Sequence, residues 1–190
     1  MKKSICIFCS SSDKAPETYF KLARRLGREI AAAGYRLVYG GAKIGLMGAV
    51  AEAVSETGGD LLGVIPKKLH EHAIANEQNG KLIITADMRE RKAVMEQESD
   101  AFIAMPGGFG TLEEFVEILT LRQLKYHTKP LVLLNHNGFF DHLTAHFEQL
   151  FNQFFAKEAY RDLYYTAENT FQALNYIQNF QETEIADKWF

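Results

Sequence analysis

The residues best suited to chemistry lie in one glycine-rich segment, Met105–Glu114, with the sequence MPGGFGTLEE. Gly107, Gly108 and Gly110 leave backbone N–H groups unobstructed just where a helical pattern begins. The positive end of a helix dipole lies at the same place, but it contributes only about 0.3–1 kcal/mol per interaction. We therefore predict a phosphate site here, with the Thr111 hydroxyl as a further donor.

A second glycine segment, residues 39–48, has the sequence YGGAKIGLMG. Gly40, Gly41 and Gly45 permit positive φ angles and the close approach of a ligand, but they would equally suit a tight strand-to-helix turn. Ser10, which starts the first loop of the chain, is a further candidate for contact with a substrate, as are Gly40, Gly41 and Gly45. This first loop contains no glycine and so lacks the G-x-G-x-x-G of dinucleotide sites. The chain also has no G-x-x-x-x-G-K-[ST] phosphate loop, so an ordinary dehydrogenase or P-loop kinase is excluded.

Helical periodicity places an arginine on an apolar face. At about 100° per residue, Met88, Val94 and Met95 form an apolar arc that includes Arg91, with Lys92 at its edge. A charged residue in such an arc is either paired or functional. An arginine stem can also run along apolar surface with its head in water, and periodicity does not separate these interpretations.

A glutamate falls in an apolar stripe of the next helix. Glu114 shares its face with Ile118 and Leu121, whereas Glu113 and Thr120 lie on a more polar side. The T-x-x-E pattern that ends at Glu114 also matches a capping box, in which the glutamate bonds back to the N-cap amide. The residues leave both interpretations open.

Strand-length apolar runs alternate with helical segments along the chain. Strands are predicted at Ile5–Cys9, Arg36–Tyr39, Leu61–Ile65, Leu82–Thr85, Ala101–Ala104, Leu131–Leu134 and, more weakly, Leu163–Thr166. Helices are predicted at Pro16–Ala33, Leu46–Thr57, Asp87–Glu98, Thr111–Lys125, Phe140–Phe155 and Glu168–Phe180. This alternation predicts an α/β fold, a Rossmann-like doubly wound parallel sheet in a single domain of residues 1–190. Ligands of such sheets bind beyond the carboxyl ends of the strands, where both glycine segments fall.

Composition excludes several classes of protein. A hydrophobic fraction of 47% and a net charge of −3 are typical of a globular protein without a nucleic-acid groove. The chain has no apolar run of about 18 residues and no signal peptide, so we expect a cytoplasmic protein without a membrane span. Cys6 and Cys9 form a C-x-x-C in a strand, where they point to opposite faces. We expect two structural thiols there and neither a redox pair nor a metal site.

Two motifs together resemble a known family. An M-x-x-R-K motif at residues 88–92 is followed by P-G-G-x-G-T-x-x-E at residues 106–114. This pair resembles the Lonely Guy family of cytokinin riboside 5'-monophosphate phosphoribohydrolases, and the similarity extends from the first strand to about Gly138. The family hydrolyses the N-glycosidic bond of AMP that carries a modified exocyclic amine, releasing the free base and ribose 5-phosphate.

The resemblance also implies roles for individual residues. Arg91 and Glu114 match the catalytic pair of the family. The positions that match its substrate-binding residues are Lys92, Gly107, Gly108, Phe109, Gly110, Thr111, Leu112, Glu113 and Thr120. The family has a Rossmann-like fold, is usually a dimer and uses no metal or redox cofactor, so a homodimer that binds a nucleoside monophosphate is expected.

Three positions depart from the family pattern. Ala42 stands where the family often has a third glycine, and Leu121 where a tryptophan is common. A glutamate of the loop after the third strand is replaced by Ala73, with Glu71 nearby, which affects recognition of base or ribose more than the chemistry. Members have also been labelled lysine decarboxylases. That chemistry usually needs pyridoxal phosphate and a Schiff-base lysine, and the sequence offers no convincing site for either.

Two alternative functions stay open at the level of sequence. Within the same chemistry, the substrate could be unmodified AMP or another purine nucleotide. From a different class, the chain could be a nucleotide sensor or carrier that binds tightly without turnover. The phenylalanine-rich stretch Phe139–Phe155 is wide for one core stripe, so it is expected to be core or partly a dimer interface.

Overall fold

A seven-stranded parallel sheet forms the centre of the computed structural model, which describes residues 2–71, 80–182 and 184. The strand order is β4-β3-β2-β1-β5-β6-β7, and every neighbouring pair is parallel. The strands are β1 (Ser4–Phe8), β2 (Arg36–Tyr39), β3 (Asp60–Pro66), β4 (Lys81–Thr85), β5 (Ala101–Ala104), β6 (Leu131–Leu134) and β7 (Tyr165–Ala167). The predicted α/β fold with a parallel sheet is confirmed.

Helices connect successive strands and cover both faces of the sheet. They are α1 (Glu17–Ala32), α2 (Gly45–Glu56), α3 (Lys67–His70), α4 (Met88–Gln97), α5 (Phe109–Gln123), α6 (Asp141–Asn152) and α7 (Thr170–Gln178), with 3-10 helices at His136–Gly138 and Glu158–Leu163. The six predicted helices are confirmed, but α3 and the 3-10 helices were not expected. The last strand begins at Tyr165 because Leu163 belongs to a 3-10 helix. None of the helices in the described part of the chain is long and apolar enough to cross a membrane.

The core has two layers, one on each face of the sheet. Successive side chains of β1 point to opposite faces of the sheet. Cys6 therefore lies in one layer of the core, and Cys9, the residue after the strand, lies in the other. Both thiols are free and buried, and burial raises the pKa of each above its ordinary value. The prediction of two structural thiols on opposite faces is thus supported, because a buried neutral thiol is a poor nucleophile.

The strand order reverses between β1 and β5, which are adjacent although far apart in sequence. Loops that leave two such strands run in opposite directions and open a crevice at the carboxyl edge of the sheet. The loop after β1 begins at Ser10, and the loop after β5 contains Gly107. A Cβ atom built on Gly107 would lie 3.1 Å from the Ser10 nitrogen, so the two loops touch at this crevice.

A buried histidine lies beside α5, the helix that follows this crevice. The Nε2 atom of His127 lies 3.1 Å from the carbonyl oxygen of Ile118, and the neutral ring donates to it. Nδ1 has no hydrogen-bond partner among the described residues. Burial, the largest cause, lowers the pKa of His127 to about 4, since a second ring proton would place a charge inside the protein.

Acid should therefore destabilise the fold through His127. In the unfolded chain this residue binds a proton near pH 6.5, whereas in the folded chain it does so only near pH 4. The unfolded state then binds more protons between these values, and the free energy of unfolding should fall as pH decreases, by up to about 1.4 kcal/mol per pH unit. Urea denaturation at about pH 7 and about pH 5 should show a smaller decrease for His127→Gln than for the wild type. His146→Gln, on the exposed side of α6, should keep the wild-type decrease; an unchanged decrease in His127→Gln would contradict this account.

Candidate active site

Helix α5 starts inside the glycine segment, with Gly108 as its N-cap. The first intrahelical bond runs from the Leu112 N–H to the Gly108 carbonyl, at 3.2 Å. The N–H groups of Phe109, Gly110 and Thr111 precede that bond and so have no acceptor within the helix. A Cβ atom on Gly108 or Gly110 would meet nothing within 4 Å, so this first turn is open to a ligand. The geometry is that of an anion site at a helix N-terminus.

The capping-box interpretation is wrong. The helix begins at Phe109, so Thr111 is an internal residue of its first turn and not the N-cap. The Thr111 side chain is buried and folds back on Gly107, whose added Cβ would lie 2.1 Å from the Thr111 Oγ1. Gly107 is therefore required for this close approach. Glu114 is free of the cap because its carboxylate binds an arginine instead.

Arg91 and Glu114 form a buried ion pair across two helices. The Arg91 Nη1 lies 2.6 Å from the Glu114 Oε1, and the two side chains are only 5% and 6% exposed. The Arg91 Nε donates a second hydrogen bond, of 3.0 Å, to the carbonyl of Val64 near the end of β3. The interpretation of Arg91 as a surface arginine is therefore wrong, because its guanidinium is inside the protein. Helical periodicity placed both residues correctly on buried faces.

The charge of Glu114 is controlled by opposing effects. Burial raises the pKa of its carboxyl group above the ordinary value, while the Arg91 charge and hydrogen bond lower it; Glu113 raises it slightly and Lys92 lowers it. The net direction is upward. The second oxygen, Oε2, accepts no hydrogen bond from the described residues. A carboxylate with a raised pKa and one oxygen unoccupied can accept a proton or stabilise a nearby positive charge.

A second, more exposed charge cluster lies beside this pair. The Lys92 Nζ contacts Glu113 and lies 2.8 Å from the Glu117 Oε2. Partial burial lowers the pKa of Lys92, but the hydrogen bonds that it donates to the two glutamates, together with their negative charges, outweigh this effect and raise the pKa overall. Glu117 was not among the predicted site residues. Its signal was the spacing of four residues from Glu113, which puts both carboxylates on the side of α5 that faces α4.

Three predicted binding residues lie apart from the buried pair. Thr120 is exposed on α5, and its hydroxyl donates to the Val116 carbonyl at 2.8 Å. Leu112 is half-buried against the core, and the Phe109 side chain is 92% exposed at the mouth of the first turn. The structure thus brings together Ser10, Gly107, Thr111, Arg91 and Glu114 at the carboxyl edge of the sheet, but it places Thr120 farther along the helix.

The glycines of the second segment, residues 39–48, are explained by backbone conformation and close packing. Gly41 and Gly45 have positive φ angles of 72° and 61°, a conformation that favours glycine. A Cβ on Gly45 would lie 2.4 Å from the Ser11 carbonyl carbon, and its N–H donates to the Asp13 carboxylate at 2.7 Å. Asp13 was not predicted as part of this arrangement. Gly40 lies directly against Arg91.

The structure describes most, but not all, of the positions at which this chain differs from the family pattern. Ala42 is buried, Leu121 is half-buried on α5, and Glu71 is exposed. Ala73 lies outside the described residues. Within residues 2–71, 80–182 and 184, no group of three or more His, Cys, Asp or Glu side chains could hold a metal ion.

Removing one partner of the buried ion pair should strongly lower the free energy of unfolding. Arg91→Leu should lower the free energy of unfolding by about 3–5 kcal/mol, because the Glu114 carboxylate would stay buried without its partner. The double variant Arg91→Leu/Glu114→Leu removes both charges and should recover much of this loss. As a control, Arg25→Leu breaks the exposed pair with Glu29 and should cost less than about 1 kcal/mol. Urea denaturation measures all three; an Arg91→Leu cost as small as that of Arg25→Leu would show that the pair is not buried.

Comparison with known proteins finds related sequences over most of this chain. Residues 47–177 match a family model described as "Possible lysine decarboxylase". Two curated relatives from Arabidopsis thaliana are named cytokinin riboside 5'-monophosphate phosphoribohydrolases. One is 41% identical over 94% of this chain and 78% of its own length, and the other is 39% identical over 94% and 84%.

A solved structure is similar in fold. The molybdenum cofactor binding protein of the phototrophic bacterium Rippkaea orientalis matches with a TM-score of 0.72 and 24% identity, over 94% of this chain and 97% of that one. At this level of identity the likeness shows the shared fold alone.

Proposed function

Because this chain belongs to the family of cytokinin riboside 5'-monophosphate phosphoribohydrolases, we propose that Arg91 and Glu114 are the catalytic pair with which it hydrolyses the N-glycosidic bond of N6-modified adenosine 5'-monophosphates. The products are the free base and ribose 5-phosphate. The observation that carries the assignment is the buried 2.6 Å ion pair, which lies one helical turn after the open first turn of α5.

The 5'-phosphate binds at the start of α5. Its oxygens accept hydrogen bonds from the N–H groups of Phe109, Gly110 and Thr111, which have no acceptor within the helix. Gly107 and Gly108 let the anion approach the backbone, and Ser10 borders the same crevice. Glu114 follows Thr111 by three residues, about 4.5 Å along the helix axis. A phosphate held at this end therefore places the ribose beside the acidic side chain.

Cleavage of the glycosidic bond develops positive charge on the ribose. The Glu114 carboxylate stabilises that charge, and its unoccupied Oε2 can accept a proton from the attacking water. The water oxygen bonds to C1' as the bond from C1' to the base nitrogen breaks. The base leaves with the bonding electrons and takes up one proton from solvent, and Glu114 then releases to solvent the proton that it accepted. Arg91 holds the Glu114 Oε1 through Nη1. This fixes the carboxylate in one orientation and opposes the effect of burial on its charge.

Lys92 and Glu113 are proposed to contact the substrate at the edge of the site. Lys92 supplies positive charge near the phosphate, and its partners Glu113 and Glu117 fix its position. The raised pKa of Lys92 keeps the ammonium protonated. A Schiff-base lysine needs the opposite, a neutral amine with a lowered pKa. Lys92 is therefore poorly suited to the chemistry that the description of the family model suggests.

The exposed ring of Phe109 and the more distant Leu112 and Thr120 complete the proposed binding set, by their match to the motif. We also propose a homodimer. Of the phenylalanines in the stretch 139–155, Phe140, Phe147 and Phe151 are buried, whereas Phe154 and Phe155 are 93% and 79% exposed. The stretch is thus partly core, and its exposed apolar rings support a contact between copies.

Loss of the Glu114 charge should lower turnover in a protein that is less stable but still folded, because a glutamine oxygen can keep accepting the hydrogen bond from Arg91. Glu114→Gln keeps the size of the side chain but removes the carboxylate, and it should lower kcat about 100-fold or more. The matched control is Glu148→Gln, which breaks a 2.6 Å pair with Arg161 on the surface of α6 and should leave kcat unchanged. Release of free base from isopentenyl-AMP, followed by chromatography, measures both. A folded Glu114→Gln enzyme with near wild-type kcat would remove Glu114 from the mechanism.

Turnover should also depend on the 5'-phosphate. A nucleoside lacks the group that the first turn of α5 binds, and two lost charge-assisted hydrogen bonds predict a decrease in kcat/KM of about 100-fold or more. The measurement compares isopentenyl-AMP with isopentenyladenosine, and AMP with adenosine. Equal rates for nucleotide and nucleoside would argue against the phosphate site, and a preference for AMP over isopentenyl-AMP would assign the broader nucleotide specificity instead. Tight nucleotide binding with no base release would favour a sensor or carrier.

A further inference from the structure

Gly40 lies against the catalytic arginine at the end of β2. A Cβ atom built on Gly40 would lie 2.2 Å from the Arg91 Nη2, far inside van der Waals contact. It would also lie 2.9 Å from the Met47 Sδ. The guanidinium therefore occupies the space that any side chain at position 40 would need.

The backbone at this position does not itself require glycine. Gly40 does not have a positive φ angle, whereas Gly41 and Gly45 do. The three atoms nearest to its added Cβ are at the ends of two side chains, whereas the Cβ of Gly45 would meet the backbone of Ser11. Alanine at position 40 could thus be accommodated by moving side chains, with the turn unchanged.

The Arg91 side chain has little room to move without losing its contacts. Its Nε donates to the Val64 carbonyl at 3.0 Å, and its Nη1 holds Glu114 at 2.6 Å. These bonds fix two sides of a planar group, and Gly40 borders a third atom, Nη2. A displacement that relieves a clash at Nη2 must therefore lengthen or break at least one of the other two contacts.

We propose that Gly40 is a positioning residue for the reaction: its lack of a side chain sets the place of the Arg91 guanidinium and, through it, the orientation of the Glu114 carboxylate. The inference rests on the catalytic role proposed for this pair. It assigns to Gly40 a part in catalysis that involves no contact with the substrate.

Gly40→Ala in the full chain tests the proposal, with kcat and KM for isopentenyl-AMP measured across pH. A misplacement of about 1 Å at a catalytic group can lower turnover about 100-fold, so kcat should fall to that extent. KM should stay within about threefold, because the first turn of α5 is untouched. The acid limb of the kcat profile should move to higher pH, since a displaced Arg91 no longer lowers the pKa of Glu114 as strongly.

Other groups around Glu114 keep their places in this variant. Lys92 on α4 and Glu113 on α5 are the other charges that act on it, and the thiols of Cys6 and Cys9 face it from β1 and the residue after it. The three atoms nearest to a Cβ at position 40 belong to Arg91 and Met47 and to none of these groups, so a shift of the acid limb reports on Arg91.

A double-mutant cycle with Arg91→Lys separates positioning from a general loss of stability. Lysine has no Nη2, so in the Arg91→Lys background the alanine at position 40 should cost less than about threefold, and the two effects should be non-additive. Gly27→Ala is the matched control. Its Cβ would lie 2.5 Å from the Val50 carbonyl oxygen where α1 packs on α2, so it should lower Tm but leave kcat and the acid limb unchanged.

Wild-type kcat in Gly40→Ala, or additive effects in the cycle, would overturn the proposal. If the wild type cleaves no nucleotide, the proposed function fails and the cycle is measured instead by the free energy of unfolding in urea. Coupling between positions 40 and 91 then supports only the part of the inference that Gly40 sets the place of the Arg91 guanidinium, and additivity overturns that part too.

Discussion

The structure of the site depends on one buried ion pair. Burying two charges costs several kcal/mol for each, and only close geometry with further hydrogen bonds offsets that cost. Arg91 and Glu114 meet the requirement with a 2.6 Å contact and a bond from the arginine to the Val64 carbonyl. Removing the charge of either residue alone would leave the other charge uncompensated inside the protein. Stability and the proposed chemistry therefore constrain the same two side chains.

The topology of the sheet explains how residues distant in sequence meet at this pair. Arg91 comes from the helix after the edge strand β4, whereas Glu114 comes from the helix after the central strand β5. In a parallel sheet both helices start at the same edge, so the arginine can reach across the end of β3 to the glutamate. The switch point between β1 and β5 opens the crevice beside them. The same edge thus holds the proposed anion site and a carboxylate within one helical turn.

Local patterns in the sequence, such as apolar runs and helical periodicity, predicted more of the fold than of the candidate site. Strand-length apolar runs located all seven strands, since buried parallel strands are continuously apolar. Periodicity showed that Arg91 and Glu114 face the core, but it could not show that they touch, because that contact depends on how two helices cross the sheet. The capping box failed because the helix starts at Phe109, two residues before Thr111. The role of Gly40 had no local signal at all, since its neighbour is a side chain from another helix. The resemblance to a family, and not the geometry of single helices, supplied the expected roles.

The central claim is that a nucleotide held at the start of α5 presents its sugar to Glu114. A crystal structure of Glu114→Gln with bound isopentenyl-AMP tests it most directly, since this variant should bind the nucleotide without consuming it. The account predicts phosphate oxygens on the N–H groups of Phe109, Gly110 and Thr111, with the ribose C1' within about 3.5 Å of the side chain at position 114. A phosphate bound elsewhere, or a C1' out of reach of that side chain, would contradict it.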